Sequence, residues 1–314
     1  MKAKDLALFT SIQLQTTRKV FADAGCVEVL TSALEPAGYI PFQNPITAYL
    51  GDMQMNLATS PDPYLSDAVN ILGKVYTIAP AFRAESDSSR IPQFHYAQAW
   101  MSGCLEDGIY LIERIFCELL EQASQRRVLS ANTLNRLRGL KAPFQRVLYS
   151  DALSALGMQV DHQLQHEDHL KLCHMYGDLP IIITNFLPDA EKGAFDVRRT
   201  SMNGIDTLLN FELITPFAGE VASGREIENR REVLENQFSS SAYFSDLESL
   251  SEKAVDTDQY IERLTARSDA VISVGFGVER LTQYFLGAAN IHSAIFAPVT
   301  LESLQKTVLF SSRG

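Results

Sequence analysis

Arg83, Glu85, Arg90 and Phe94 fall within one stretch, Val75-Tyr-Thr-Ile-Ala-Pro-Ala-Phe-Arg-Ala-Glu-Ser-Asp-Ser-Ser-Arg-Ile-Pro-Gln-Phe94, that reads as strand, polar loop and returning strand. An arginine at a strand end can pair with a phosphate oxygen. A carboxylate two residues on shares its strand face, and an aromatic on the returning strand can stack on a purine. A plain hairpin with charged tips has the same spacing. Far along the chain, Gly275-Phe-Gly-Val-Glu-Arg-Leu281 ends a glycine-bearing strand and opens an apolar helix carrying Arg280. Alone, glycines before a helix are ordinary turn chemistry. Taken together, Arg83 and Arg280 can clamp one triphosphate, with Gly277 leaving its surface open.

Phe-Arg-Ala-Glu followed by Arg90 and Phe94 resembles motif 2 of the class II aminoacyl-tRNA synthetases, and Gly-Phe-Gly-Val-Glu-Arg-Leu resembles their motif 3. The aspartyl/asparaginyl branch is the nearest. Three more segments match it in order: Leu57-Ala-Thr-Ser-Pro-Asp-Pro-Tyr64, Leu179-Pro-Ile-Ile-Ile-Thr-Asn-Phe-Leu-Pro188 and Phe211-Glu-Leu-Ile-Thr-Pro-Phe-Ala-Gly-Glu-Val-Ala-Ser-Gly224. The resemblance implies a mixed α/β (α+β) fold, an antiparallel sheet of six or more strands flanked by helices. It implies attack of an amino-acid carboxylate on the α-phosphorus of ATP, with ATP and Mg2+ as cofactors. Arg83 would hold the α-phosphate and the attacking carboxylate, and Arg280 the γ-phosphate and one adenine face. Phe94 would stack on the other face, and Glu85 would accept from the adenine amino group. Glu212 and Glu220 stand where the family keeps acidic magnesium ligands, and magnesium prefers such hard oxygen donors.

Departures cluster on the amino-acid half. Ile91 stands where the family has a histidine, and Gln93 and Gln98 where it has glutamates. Asp62, after Ser60, replaces a glutamine, and Leu65 replaces a lysine. Arg225, with Arg198 behind it, is the candidate for a substrate carboxylate; Ser60, Asp62 and Gln98 complete that set. The expected function is an AMP-forming ligase resembling the archaeal asparagine synthetases. It would activate aspartate or a relative and pass the acyl group to ammonia or another amine without tRNA. Two alternatives stand beside it: aminoacyl transfer to a protein lysine, which Asp62 favours because lysyl-type enzymes carry an acid there, and a non-catalytic regulatory paralogue.

These residues need elements to position them. Residues 5–24 have helical apolar spacing and lead into Val27-Glu-Val-Leu30, which alternates as a strand. This pair resembles motif 1, the dimer-forming element, with Ser32 in place of its proline; a homodimer is expected. Residues 106–124 predict a second long helix through Tyr110, Ile112, Ile115, Phe116, Leu119 and Leu120, and residues 149–175 a third. Strands dominate 179–221, and a helix-rich segment fills 225–268.

The 314 residues, 46% hydrophobic, suffice for one large core. A single catalytic domain over 1–314 without an anticodon-binding barrel is the expectation. No apolar run approaches the roughly 20 residues of a membrane span, and the scattered Cys26, Cys104, Cys117 and Cys173 fit a reduced, cytoplasmic setting. Acidic residues outnumber basic ones 38 to 27, a net charge of −11 that offers no general basic face to nucleic acid. Arg126, Arg127, Arg136, Arg138 and Lys141 form the densest basic stretch and read as a solvated helix face and loop. His162, His166, His169 and His174, with Cys173, have the residue types of a zinc site, but an ordinary surface helix accounts for them better.

Overall fold

The computed structural model describes residues 3–36, 45–85, 87, 89–160, 162–188, 194–202, 204–241 and 257–296. In chain order the elements are α1 (Ala3–Asp23), β1 (Val27–Glu28), β2 (Leu34–Pro36), β3 (Thr47–Leu50), β4 (Met53–Leu57), α2 (Asp62–Leu72), β5 (Lys74–Phe82), β6 (Gln93–Ser102), α3 (Leu105–Gln125), α4 (Ala131–Arg136), β7 (Gln145–Leu148), α5 (Tyr149–Leu156) and α6 (His166–Met175). They continue as β8 (Ile181–Thr184), β9 (Arg199–Met202), β10 (Ile205–Leu208), β11 (Asn210–Thr215), β12 (Gly219–Glu226), α7 (Arg231–Ser239), α8 (Thr257–Thr265), β13 (Val271–Gly277) and α9 (Val278–Leu286).

Eight strands form the main sheet in the order β1-β5-β6-β13-β12-β11-β8-β7. The pairings from β5 to β8 are antiparallel, and the two edge strands β1 and β7 join parallel to their neighbours. The mixed α/β class and the six-stranded antiparallel centre agree with the sequence reading.

Side chains alternate across a strand, so each row of paired residues belongs to one face. On one face, Ala97, Ala99 and Met101 of β6 join Ile272, Val274 and Phe276 of β13 and Phe211 and Leu213 of β11 in the largest core cluster. The cluster continues into α3 through Ile109, Ile112, Ile115, Phe116 and Leu119, and into α1 through Phe9, Ile12, Val20 and Phe21. Those helix positions recur at the 3.6-residue period, which makes the two 21-residue helices one-sided. Asp107 closes the start of α3 by accepting from the Cys104 backbone N–H at 2.8 Å.

The opposite face carries the polar rows. Trp100 pairs with Ser273, Ser273 with Arg225 and Arg225 with Asn210. The next row runs Gln98, Gly275, Ser223 and Glu212. Between Leu213 and Ile214 the β11–β12 register shifts: Leu213 pairs with Ala222 but Ile214 pairs with Glu220, leaving Val221 extra. This bulge reverses the alternation. Without it Glu220 would share the helix-covered face with Ala222; with it, Glu220 joins Glu212 and Arg225.

Two expectations change. Residues 149–175 are not one helix: α5 stops at Gly157, whose φ of +68° is the left-handed C-cap geometry glycine adopts without strain, and α6 starts at His166. Nor is Arg136 part of a solvated face. Its guanidinium is half-buried and donates to the carbonyls of Tyr284 and Phe285 at 2.7 and 2.9 Å, capping the end of α9, where the helix dipole favours a cation. Part of the expected helix-rich segment 225–268 lies outside the described residues; α7 and α8 supply the rest. Arg136→Met keeps the bulk but removes the cap, and is expected to cost about 1–2 kcal/mol. Denaturant unfolding checks this, with Arg138→Met as a control expected to change little.

Candidate active site

The polar face of the sheet gathers charge at two places. At the first, Arg83 follows the last residue of β5, and its backbone N–H donates to Pro92 O at 3.0 Å across the hairpin. Its guanidinium lies 5.1 Å from the centre of the Phe94 ring, a cation–π distance, and its Nε donates to Thr59 O at 3.3 Å. Burial lowers the Arg83 pKa; Tyr96, Glu220 and Glu85 oppose that shift, while Arg280 adds to it. The last of these is the signature of two arginines sharing a field. Arg280, in the first turn of α9, donates from Nη1 to Glu220 O at 2.6 Å and lies 3.7 Å from a Glu220 carboxylate oxygen. Arg83, Arg280, Phe94 and Glu220, drawn from four separate segments, thus meet.

Glu85 and Arg90 occupy the hairpin loop, 3.4 Å apart. Gly275 and Gly277 line the strand beneath. A Cβ on Gly275 would lie 3.0 Å from both Ala97 O and the Tyr96 ring, so no side chain fits there without movement. A Cβ on Gly277 would meet only the Arg280 stem at 3.7 Å, so its lack of a side chain leaves a flat surface beside Arg280.

Glu212 lies 3.7 Å from His169 of α6, and Glu220 also acts on that histidine. Burial drives the His169 pKa down to about 4, so the ring is neutral at pH 7, and its Nε2 has no hydrogen-bond partner among the described residues. His166 of α6 lies against Gly219. His162 lies outside the helix, 3.0 Å from Asp168, and His174 pairs with Asp178 at the surface. Among the described residues no three His, Cys, Asp or Glu side chains gather as a metal-holding group. Two partly exposed carboxylates do fit a magnesium ion that takes its remaining oxygens from phosphates and water.

At the second place Asp62, at the start of α2 and 7% exposed, is the hub. Its Oδ1 accepts from Gln98 Nε2, from Trp100 Nε1 at 2.8 Å and from Ser273 Oγ at 3.3 Å. Its Oδ2 accepts from Ser60 Oγ at 2.8 Å and lies 3.6 Å from Arg225 Nη2. Arg225 in turn forks onto Asp196, Nε and Nη2 donating at 3.1 and 3.0 Å, and Tyr260 O–H donates to the same carboxylate at 3.1 Å. Burial opposes the Arg225 charge, yet Asp196 and Asp62 together hold its pKa well above the ordinary value. Ser60, Asp62, Gln98 and Arg225 are therefore brought together. Arg198 is not: it donates to Asn229 at 3.0 Å and lies 3.9 Å from Glu226, bracing the chain after β12.

The family profile for "tRNA synthetases class II (D, K and N)" matches residues 2–301, nearly the whole chain. This protein belongs to that family. An asparagine–tRNA ligase of Xylella fastidiosa is 29% identical over 258 residues, 72% of this chain and 51% of that protein. One from Rhodopirellula baltica is 27% identical over 260 residues, 73% of this chain and 48% of that protein. The chain spans about half the length of these curated relatives. Among solved structures, asparaginyl-tRNA synthetase of Entamoeba histolytica superposes with a TM-score of 0.81 at 17% identity, covering 96% of this chain and 68% of that one. The Pyrococcus horikoshii enzyme, complexed with asparaginyl-adenylate, also gives 0.81 at 20% identity, covering 95% and 69%. At such identities these two show the class II fold.

The comparisons correct the expected acceptor. The relatives are ligases of tRNA, so the expectation of an ammonia- or amine-using ligase that works without tRNA is overturned, and with it the exclusion of tRNA as a partner. That expectation rested on reading the altered residues Asp62, Leu65, Ile91, Gln93 and Gln98 as signs of a different substrate or acceptor in a freestanding catalytic core.

Several site residues escaped the sequence reading. Glu279 accepts from the His95 backbone N–H at 2.9 Å and from the His95 ring at 2.8 Å, tying the start of β6 to α9; its place beside Arg280 in the class II motif was the available signal. Asp196 carried none. Glu35 of β2 is 4% exposed, its Oε1 lacks a hydrogen-bond partner among the described residues, and burial together with the nearby Asp62 pushes its pKa up to about 7. An ordinary carboxyl near 4.5 in the unfolded chain thus binds its proton more tightly when folded. Its contribution to stability is full below about pH 4.5 and is lost as pH rises toward about 7. The melting temperature of the free protein, wild type minus Glu35→Gln, should fall across that window and level off above it.

Proposed function

We propose that this chain activates an amino acid with ATP as an aminoacyl-adenylate and passes the acyl group to the 3′ end of tRNA. The meeting of Arg83, Arg280, Phe94 and Glu220 on one patch of the sheet supports the first step most directly. In that step a carboxylate oxygen attacks the α-phosphorus, a P–O bond forms, and pyrophosphate leaves. Negative charge builds on the phosphate oxygens, and fixed cations placed beforehand stabilise it. Arg83, half-buried and steered by Phe94 and Thr59 O, suits the α-phosphate and the attacking carboxylate. Arg280, held by Glu220, suits the γ-phosphate end. Phe94 and the bare surface at Gly277 offer flat contacts for adenine. Glu212 and Glu220 would hold magnesium, which neutralises phosphate charge.

Transfer to tRNA follows the relatives, which are ligases of this kind, and the adenylate bound to the Pyrococcus horikoshii enzyme supports the intermediate. A homodimer belongs to the same reading. The segment after α1 exposes Val27, Leu34 and Leu30, the last 99% accessible, as an apolar strip that a second copy would cover.

Magnesium-dependent exchange of labelled pyrophosphate into ATP, driven by amino acid alone, tests the first step. Arg83→Ala is expected to lower it on the order of 100-fold or more, and Arg138→Ala to leave it unchanged. Exchange that survives Arg83→Ala would refute the assignment. Charging of tRNA by wild type, measured with the amino acid that drives exchange, tests the second step.

A further inference from the structure

The hairpin that carries Arg83 and Phe94 overhangs the sheet. β6 pairs with β5 out to Gln93 and Phe82, but its ladder with β13 ends at Tyr96 and Gly277, where the chain turns into α9. Gln93, Phe94 and His95 therefore lie past the last β6–β13 rung, where no strand runs opposite to take the His95 backbone N–H. Glu279, in the first turn of α9, supplies the acceptor that the ladder lacks. Its Oε2 and Oε1 accept from that N–H at 2.9 and 3.1 Å, and Oε1 also meets His95 Nδ1 at 2.8 Å. The carboxylate is buried, whereas the His95 side chain is half-exposed. A carboxylate withdrawn from water costs stability unless donors replace that water, and His95 brings two of them to one group.

Building on the adenylation reading above, we infer that His95 is a positioning residue for the nucleotide: its clamp on Glu279 fixes the Phe94 ring relative to Arg280. The clamp joins Phe94-His95 to Glu279-Arg280, so it ties the residue proposed for adenine to the residue proposed for the γ-phosphate. Successive side chains of a strand face opposite ways. His95 thus stands on the reverse of β6 from Phe94 and acts through the backbone, without touching the ligand. The two arginines have anchors of their own, Arg280 on Glu220 O at 2.6 Å and Arg83 on Thr59 O at 3.3 Å. Phe94 differs, because its ring contacts, the edge of Tyr96 at 6.2 Å and the Arg83 guanidinium at 5.1 Å, lie within the hairpin itself. Loosening the clamp therefore shifts the base end of the site and leaves the phosphate end in place.

Equilibrium dialysis against the whole protein, with magnesium present, tests the inference by comparing ATP with inorganic tripolyphosphate, which lacks the base. His95→Ala is expected to weaken ATP binding about 10-fold, the order of one charge-assisted hydrogen bond, and to leave tripolyphosphate within about 2-fold of wild type. Retained tripolyphosphate binding also verifies that the variant is folded. His95→Asn, whose amide N–H can replace Nδ1–H, is expected to recover most of the lost ATP affinity. In pyrophosphate exchange His95→Ala should raise KM for ATP with kcat held within about 2-fold. Unchanged ATP binding in His95→Ala would overturn the inference, as would equal loss of ATP and tripolyphosphate, the mark of a general loosening, or no recovery in His95→Asn. Base-selective loss of ATP in His95→Ala, with no exchange by wild type for any amino acid, would instead refute adenylation and leave the role of His95 standing.

Discussion

A residue in an antiparallel strand can point only to one side of its sheet or the other, and the central strands use that constraint to keep chemistry away from the core. Ala97, Ala99, Ile272, Val274 and Phe276 bury one face under α1, α3 and α9. Their immediate neighbours Gln98, Trp100, Ser273 and Arg225 are therefore obliged to face the other way. The apolar face supplies most of the burial that holds the sheet together. The polar face inherits a rigid spacing from it, so Gln98, Trp100 and Ser273 of β6 and β13 and Arg225 of β12 are fixed on the strands themselves.

Charge on that face is shared: Arg225 lies between Asp196 and Asp62, and Arg280 is tied to Glu220. Arg83 is the exception in kind: its near neighbours are the Phe94 ring and a backbone carbonyl. Among the described residues no carboxylate forms an ion pair in contact with this half-buried guanidinium, while Glu220 and Glu85 support its charge from further off.

The Arg83–Arg280 cluster was legible because its residues lie in two short runs of recognisable type, and the strand period alone places Arg83 and Phe94 near one another. The helices α1 and α3 were legible for the same reason, their period being long and uninterrupted. The Asp62–Arg225 cluster was not. Asp196 lies in a short helical turn between segments, and its meeting with Arg225 depends on α8 and β12, remote in sequence. Arg225 and Arg198 look alike as isolated cations; only the fold turns one toward Asp62 and the other toward Asn229. The break at Gly157 was hidden because apolar residues continue on both sides of it.

The extra residue in β12 has a consequence for how this chain can vary over time. Val221 acts as a parity switch: strand positions before it and after it obey opposite inside–outside rules. A change in length within β12 beyond the bulge would exchange the roles of Arg225 and its buried neighbours. A compensating change at the bulge would restore them. Lineages can therefore drift in the length of the Pro216–Ala218 turn while the numbering of β12 stays locked, and insertions in related chains should crowd into the turn and shun the strand.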